Sequence, residues 1–264
     1  MSKTIFVTGA STGIGKAAVK LFQSRGWNVI ATMRDPAKAT ELNQLENVTL
    51  LPLDVTNLEQ IKETTQKAIE LGVDVVFNNA GYGLIGPLEA TSDEQIKRQI
   101  DTNLLGVIRV TQAFIPYFRD QKSGLFINTT SLGGLISFPL DSIYHATKWA
   151  IEGWTESLSH ELALFGIGIK TVAPGATITD FNGRSADFVS HPLYNEAIEK
   201  LMSLFNPNTM STAEYIAEVV YEAATDGKDQ IRYVAGNEAK ATYARRLELG
   251  NEEFRKELGK MVFG

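Results

Sequence analysis

Six short apolar, largely β-branched runs, at residues 4–7, 29–32, 48–51, 73–77, 125–128 and 167–172, alternate with stretches of helical patterning. A strand can acquire a parallel neighbour only through a crossover, and near-continuous apolar strands need cover on both faces. The alternation therefore predicts an α/β fold: one doubly wound, Rossmann-type parallel sheet of about seven strands with helices on both faces. Capping-box spacings, Thr91 with Glu94 and Ser211 with Glu214, mark two of the expected helix starts.

No linker, repeat or low-complexity tract interrupts the alternation before Pro174, so residues 1–264 read as a single domain. Residues 180–210 differ in texture, with Phe181, Phe188, Leu193, Tyr194, Met202 and Phe205 around Pro192 and Pro207 in no clear period. They are expected to be irregular and to form a substrate lid, a surface helical hairpin being the alternative. Residues 238–264 read as a helical tail with Leu247, Phe254, Leu258 and Met261 on one face, packed on its own domain or on a second subunit.

Composition removes several function classes. There is no cysteine, and the three histidines are scattered, so disulfide, thiol and metal chemistry are not expected. Thirty-one acidic residues stand against 25 basic ones, for a net charge of -6, which argues against nucleic acid as a partner. No apolar run reaches the ~18 residues of a membrane span, and the expected location is the cytoplasm. A small apolar or neutral substrate fits this balance.

Residues 8–15 read TGASTGIG between the first strand and an amphipathic helix. Glycines at such a turn let backbone approach a pyrophosphate and aim the helix N-terminus at it. The spacing is Gly-x-x-x-Gly-x-Gly, and an ordered series follows it. The series comprises Asp54-Val55, Asn78-Asn79-Ala80-Gly81, Asn103, Ser131, Tyr144-x-x-x-Lys148 and Pro174-Gly175. Over about residues 3–180 the chain resembles the short-chain dehydrogenases/reductases, and its segment 232–240 resembles the hydroxysteroid and retinol dehydrogenase branch.

The resemblance implies that Gly9, Ser11, Thr12, Gly13, Ile14 and Gly15 border the cofactor phosphates. It puts Asp54 and Val55 at the adenine, Asn79, Ala80 and Gly81 at the ribose, and Pro174, Gly175, Thr177 and Thr179 at the nicotinamide amide, with Tyr144 and Lys148 also touching the cofactor. At the end of the second strand Met33 occupies the usual acidic position and Arg34 follows it. A guanidinium there can pair with a 2′-phosphate, which favours NADP over NAD; Asp35 reaching the ribose, or Arg34 as a solvated charge, are the competing readings.

Tyr144 and Lys148, four apart in a helical segment, share one face. A carbonyl accepting a hydride needs a proton, which a phenol can give, and a nearby ammonium stabilises the phenolate left behind. Ser131 can hydrogen-bond the substrate oxygen. Asn103 lies on a stripe with Ile96, Ile100, Val107 and Phe114, so it points inward. By resemblance it relays protons through a water to Lys148; otherwise it is a core asparagine. His145 points away from Tyr144 and reads as packing or pocket wall.

The expected activity is thus hydride transfer between NADPH, through its pro-S hydride, and a ketone or aldehyde, or the reverse with a secondary alcohol. An NADP-binding sensor or scaffold without turnover, and a non-redox epimerase or dehydratase, are the alternatives. Trp149 and Trp154, turned away from Tyr144, suggest pairing of this helix in a homodimer, with a tetramer as the alternative.

Overall fold

The computed structural model describes residues 2–179, 186–204 and 206–264, so Phe181 and Phe205 of the expected lid lie outside the described residues. Eleven strands are found among them: β1 (Thr4–Val7), β2 (Asn28–Met33), β3 (Val48–Pro52), β4 (Val75–Asn78), β5 (Gly83–Ile85), β6 (Gly124–Thr129), β7 (Ile167–Pro174), β8 (Thr177–Ile178), β9 (Ala186–Phe188), β10 (Ser211–Thr212) and β11 (Arg232–Ala235). The helices are α1 (Gly13–Ser24), α2 (Leu58–Leu71), α3 (Asp93–Ile100), α4 (Gly106–Gln121), α5 (Ser142–Ala163), α6 (Asn195–Ser203), α7 (Ala213–Thr225), α8 (Asn237–Leu249) and α9 (Asn251–Phe263).

Seven strands form one sheet in the order β3-β2-β1-β4-β6-β7-β11, and every pairing in it is parallel. Alternate side chains of β1 show why both faces must be covered. Ile5 and Val7 pack with Phe22, Trp27, Ile216 and Val220 under α1 and α7, while Phe6 faces Phe114, Phe118 and Phe126 on the other side. The order reverses between β1 and β4, which opens a crevice at the C-terminal ends of the strands. Beneath that crevice Asn78 donates to Thr111 and Asn128, and Asn128 donates to Thr155, so buried amides tie β4 and β6 to α4 and α5.

Several boundaries differ from the sequence expectation. The fourth strand begins at Val75, not at 73, and the seventh strand is β11, whose alternating RYVA is too short to stand out before it pairs with β7. The helix expected at 143–165 is α5, Ser142–Ala163. Ser92, not Thr91, caps α3 in a capping box with Gln95, because the Thr91 hydroxyl donates to Pro87 O at 3.1 Å. Thr212, not Ser211, caps α7, while Ser211 N donates to Ala176 O.

The lid region is less irregular than expected. β9 pairs with β5, and α6 packs against α9. The tail breaks at Gly250 into α8 and α9 rather than presenting one continuous face. Leu247 and Met261 are exposed, and the buried stripe is Phe254, Leu258 and Val262, which closes over Leu132 and Ile136 of the same chain. Trp154 packs on the sheet core, while Trp149 is 42% exposed. No helix among the described residues is long and apolar enough to cross a membrane.

Candidate active site

A cavity of about 680 Å³ occupies the crevice. At one end lies the glycine-rich turn. Gly9 (φ +67°) and Gly13 (φ +53°) take left-handed backbone that other residues rarely adopt. The turn is stapled to the end of β4: Thr8 Oγ1 accepts from Asn79 N and Ala80 N, and Asn79 Nδ2 donates to Thr8 O and Gly9 O. Thr12 is the N-cap of α1 but its side chain makes no capping bond, and the first turn carries no acid. The helix N-terminus therefore presents amides and positive dipole toward the cavity, a cradle suited to a pyrophosphate.

All the expected cofactor-site residues line this cavity except Gly15. Gly15 is buried, and a Cβ there would lie 2.4 Å from Gly9 O and 2.6 Å from Asn79 Nδ2, so it permits the turn to close rather than facing a ligand. Likewise the Asn79 amide holds the turn, and Thr177 Oγ1 donates to Gly175 O. Past the end of β2, Arg34 is exposed at the cavity rim with no hydrogen bond or ion pair to the described residues, whereas Asp35 pairs with Lys38 at 3.0 Å.

At the other end, β6 delivers Ser131 and α5 delivers Tyr144 and Lys148 to one wall. Ser131 hydrogen-bonds the Tyr144 phenol, and its Oγ also accepts from Gly133 N at 3.0 Å. The Lys148 Nζ lies 5.7 Å from the centroid of the Tyr144 ring and donates to Thr129 O at 2.9 Å. Burial pushes the phenol up to about 12, with the Ser131 bond opposing and the Asp141 charge reinforcing this rise. Burial pushes the Lys148 ammonium down to about 8, against the pull of Glu152. An uncharged, proton-bearing phenol beside a hydroxyl donor is equipped to protonate an oxygen placed between them.

Asn103 is buried, as its inward-pointing stripe predicts. It sits in a π-helical turn, Asp101–Leu105, that breaks the continuous α-helical stripe assumed for it. Its Oδ1 accepts from Tyr82 N (3.0 Å) and its Nδ2 donates to Tyr82 O (2.8 Å), so both ends of the amide hold the connecting segment that leads into β5. It does not line the cavity; Thr102 does. Sequence reasoning also missed Tyr82, Arg98, Asp141, Asp187 and Glu238 on the cavity wall. Arg98 and Asp187 form an ion pair that fastens α3 to β9. That pairing spans 89 positions, a separation no local spacing reveals.

His145 is wall and clamp together. Its Nδ1 lies 2.6 Å from Gly133 O, and its Nε2 accepts from Phe138 N at 2.9 Å, which sets the neutral tautomer with hydrogen on Nδ1. The ring thus secures the loop that carries Ser131. His145→Leu is expected to leave those backbone groups unpaired and cost ~2–4 kcal/mol. Burial holds the imidazole below its usual range. The unfolded chain therefore binds a proton at His145 that the folded protein refuses, and the stability contributed through this group falls as pH drops below about 6.5, at up to ~1.4 kcal/mol per pH unit. The raised Asp141 carboxyl contributes an opposite slope to wild type and variant alike, so urea unfolding between about pH 5 and 7 should show slopes that differ between the two by the His145 contribution; equal slopes would remove His145 from the account.

Comparison with known proteins places this arrangement. Residues 3–189 match the short chain dehydrogenase family. An uncharacterized oxidoreductase of Schizosaccharomyces pombe is 39% identical over 235 residues, covering 86% of this chain and 100% of that protein. Retinol dehydrogenase 8 of Homo sapiens is 32% identical over 242 residues, covering 83% of this chain and 78% of the relative. A short-chain dehydrogenase from Streptomyces avermitilis superposes with a TM-score of 0.85 at 30% identity, over 98% of this chain and 95% of that one. Two further similar structures hold different cofactors. ElxO with NADP bound scores 0.77 at 26% identity, covering 91% of this chain and 100% of that one. A short chain dehydrogenase/reductase from Burkholderia phymatum in complex with NAD scores 0.80 at 26%, covering 94% and 93%. With the glycine turn, the parallel sheet and the Ser-Tyr-Lys wall in one crevice, and with a family match over most of its length, the chain belongs to the short-chain dehydrogenase family of oxidoreductases.

Proposed function

We propose that this protein transfers a hydride between NADP(H) and a ketone or aldehyde, or the corresponding secondary alcohol, with Tyr144 as the proton carrier. The observation that carries the reading is the joining of the α1 N-terminal cradle and the Ser131-Tyr144-Lys148 wall in one cavity. The pyrophosphate would rest on the turn from Gly9 to Ile14, the adenosine against Asp54 and Val55, and the nicotinamide near Pro174 and Gly175. When bound, the dinucleotide supplies the hydride and, once oxidised, a positive charge at the reacting end. Ser131 donates to the substrate oxygen, Tyr144 gives that oxygen its proton, and Lys148 stabilises the resulting phenolate. Asn103 acts as a positioning residue through Tyr82.

Leu201, Met202 and Met210 from the 180–210 region line the cavity, which supports that region as a lid excluding water from the reacting atoms. An uncharged carbonyl or alcohol is the matching substrate class, and exposed Trp149 on α5 supports a homodimer.

Arg34, which follows buried Met33 and has no hydrogen bond or ion pair to the described residues, supports NADP as the cofactor. Its guanidinium is exposed, so the pair with a 2′-phosphate is expected to contribute ~1.5–3 kcal/mol rather than the larger value of a desolvated pair. Steady-state assays of ketone and aldehyde reduction with both reduced cofactors test the whole reading. Turnover with NADPH supports it, and Arg34→Ala should raise KM for NADPH by about 10–100-fold with little change for NADH. Cofactor binding with no turnover of any carbonyl would favour a sensor, and equal loss for both cofactors would end the NADP assignment.

A further inference from the structure

The cavity wall beside Tyr144 carries an acid that neither cofactor binding nor proton transfer uses. Asp141 is the N-cap residue of α5, a position where aspartate ordinarily bonds to the first helical amides. Here its side chain makes no capping bond, its backbone sits at φ −122° and ψ 24°, and the residue lines the cavity. Its Oδ1 is buried with no hydrogen-bond partner among the described residues. Burial pushes this carboxyl up to about 7. Buried polar atoms are almost always paired, so a carboxyl left uncapped and unpaired on a residue of the cavity wall is free to turn toward a ligand's donor.

Position and charge narrow the ligand. Asp141 precedes Tyr144 by three residues, which puts both on the same side of the helix start, and its charge is felt at the Tyr144 phenol. A second carboxyl, Glu238, reaches the cavity beside Gly175, where burial raises it and a hydrogen bond from Thr242 lowers it. The cavity's cations are already placed: Arg98 pairs with Asp187, Lys148 donates to Thr129 O, and Arg34 stands at the rim past β2. Asp141 and Glu238 therefore have no cation partner among the described residues and remain as acceptors for a ligand's donor.

We infer that Asp141 is a specificity-determining residue. It accepts a hydrogen bond from a hydroxyl or ammonium group of the carbonyl substrate, held about one helical turn, ~5 Å, from the oxygen that Tyr144 serves. The inference rests on the carbonyl-reduction reading above and goes beyond it by naming the functional group that selects among carbonyls.

The test compares matched sets sharing one carbon skeleton: butanone, hydroxybutanone and aminobutanone, and cyclohexanone, hydroxycyclohexanone and aminocyclohexanone. Wild-type protein with NADPH should show kcat/KM higher by about 10-fold or more for a donor-bearing ketone than for its parent. Asp141→Leu should bring that ratio to near one. Asp141→Asn, which keeps an acceptor oxygen but no charge, should retain preference for the hydroxy ketones and lose it for the amino ketones, separating the two donors. Circular dichroism and NADPH affinity report whether each variant folds, and the Asn variant serves if the Leu variant does not. An unchanged ratio in a folded Asp141→Leu protein overturns the inference, as does equal wild-type use of parent and donor-bearing ketones. Should no ketone be reduced, calorimetry of hydroxycyclohexanol and aminocyclohexanol against cyclohexanol on the NADP-loaded protein replaces turnover. Weaker binding of the donor-bearing alcohols by Asp141→Leu would then sustain the role of Asp141 while the carbonyl-reduction reading falls; no difference would overturn Asp141 as well.

Discussion

Tyr144→Phe is expected to lower kcat by about 10²–10⁴-fold while leaving the dissociation constant for NADPH within about twofold of the wild type. The substitution keeps the ring and removes the proton. Burial holds the phenol up to about 12, so near neutral pH it is protonated, the form that can give a proton to a carbonyl oxygen. The Ser131 hydroxyl works in the opposite sense by stabilising the phenolate that remains. Ser131→Ala should accordingly reduce kcat as well, by a smaller factor, because a neutral donor to a developing charge is lost but the proton carrier stays. Stopped-flow reduction assays with fluorescence titration of NADPH separate chemistry from binding. Retention of more than about a tenth of wild-type kcat in Tyr144→Phe would assign the proton to another group.

Lys148→Met should move the oxidative reaction's rising pH limb upward by about 2–3 units. Alcohol oxidation requires Tyr144 as phenolate, so its rate rises with pH through the phenol's apparent value; a neighbouring cation favours the phenolate and lowers that value, and removing the cation raises it. The lysine is itself held down to about 8, so its charge acts on the phenol only below about that pH, and the full shift is expected where the oxidised dinucleotide's positive charge has brought the rising limb into that range. Burial of that charge also predicts a stability signature. Between about pH 8 and 10.4 the unfolded chain holds a proton that the folded protein has released, so the wild type gains stability as pH rises through that window. Near pH 7 the methionine variant avoids the desolvation cost and is expected to be more stable, by ~1–3 kcal/mol. Saturating-cofactor rate profiles together with chemical denaturation check both arms. A variant with weakened cofactor binding but an unmoved pH profile would make Lys148 a positioning group rather than an electrostatic one.

Much of the site was legible because its geometry is local. Tyr144 and Lys148 are four apart on a helix, the glycine turn joins adjacent elements, and Arg34 directly follows the strand that neighbours β1. Such features depend on spacing and turn chemistry, which a chain carries wherever it folds. Asp141 was equally near in sequence, three residues from Tyr144, but an aspartate at a helix start reads as a cap. Only the arrangement of the loop around it leaves the carboxyl uncapped on the cavity.

The amino-acid pattern by itself determined the parallel α/β sheet, since near-continuous apolar strands admit few other arrangements, and it determined the order of the motifs along the crevice. The tertiary structure decided the rest through contacts between distant positions. Asn103 meets Tyr82 across 21 residues and so becomes a brace instead of a cavity residue. Gly15 is needed because Gly9 O and Asn79 converge on it. Residues 232–235 become a strand because β7 offers an unpaired edge, and the tail covers Leu132 and Ile136 because α9 can turn back at Gly250. In each case a short segment has weak intrinsic preference, and the burial or hydrogen-bonding partner that settles its conformation belongs to another part of the chain.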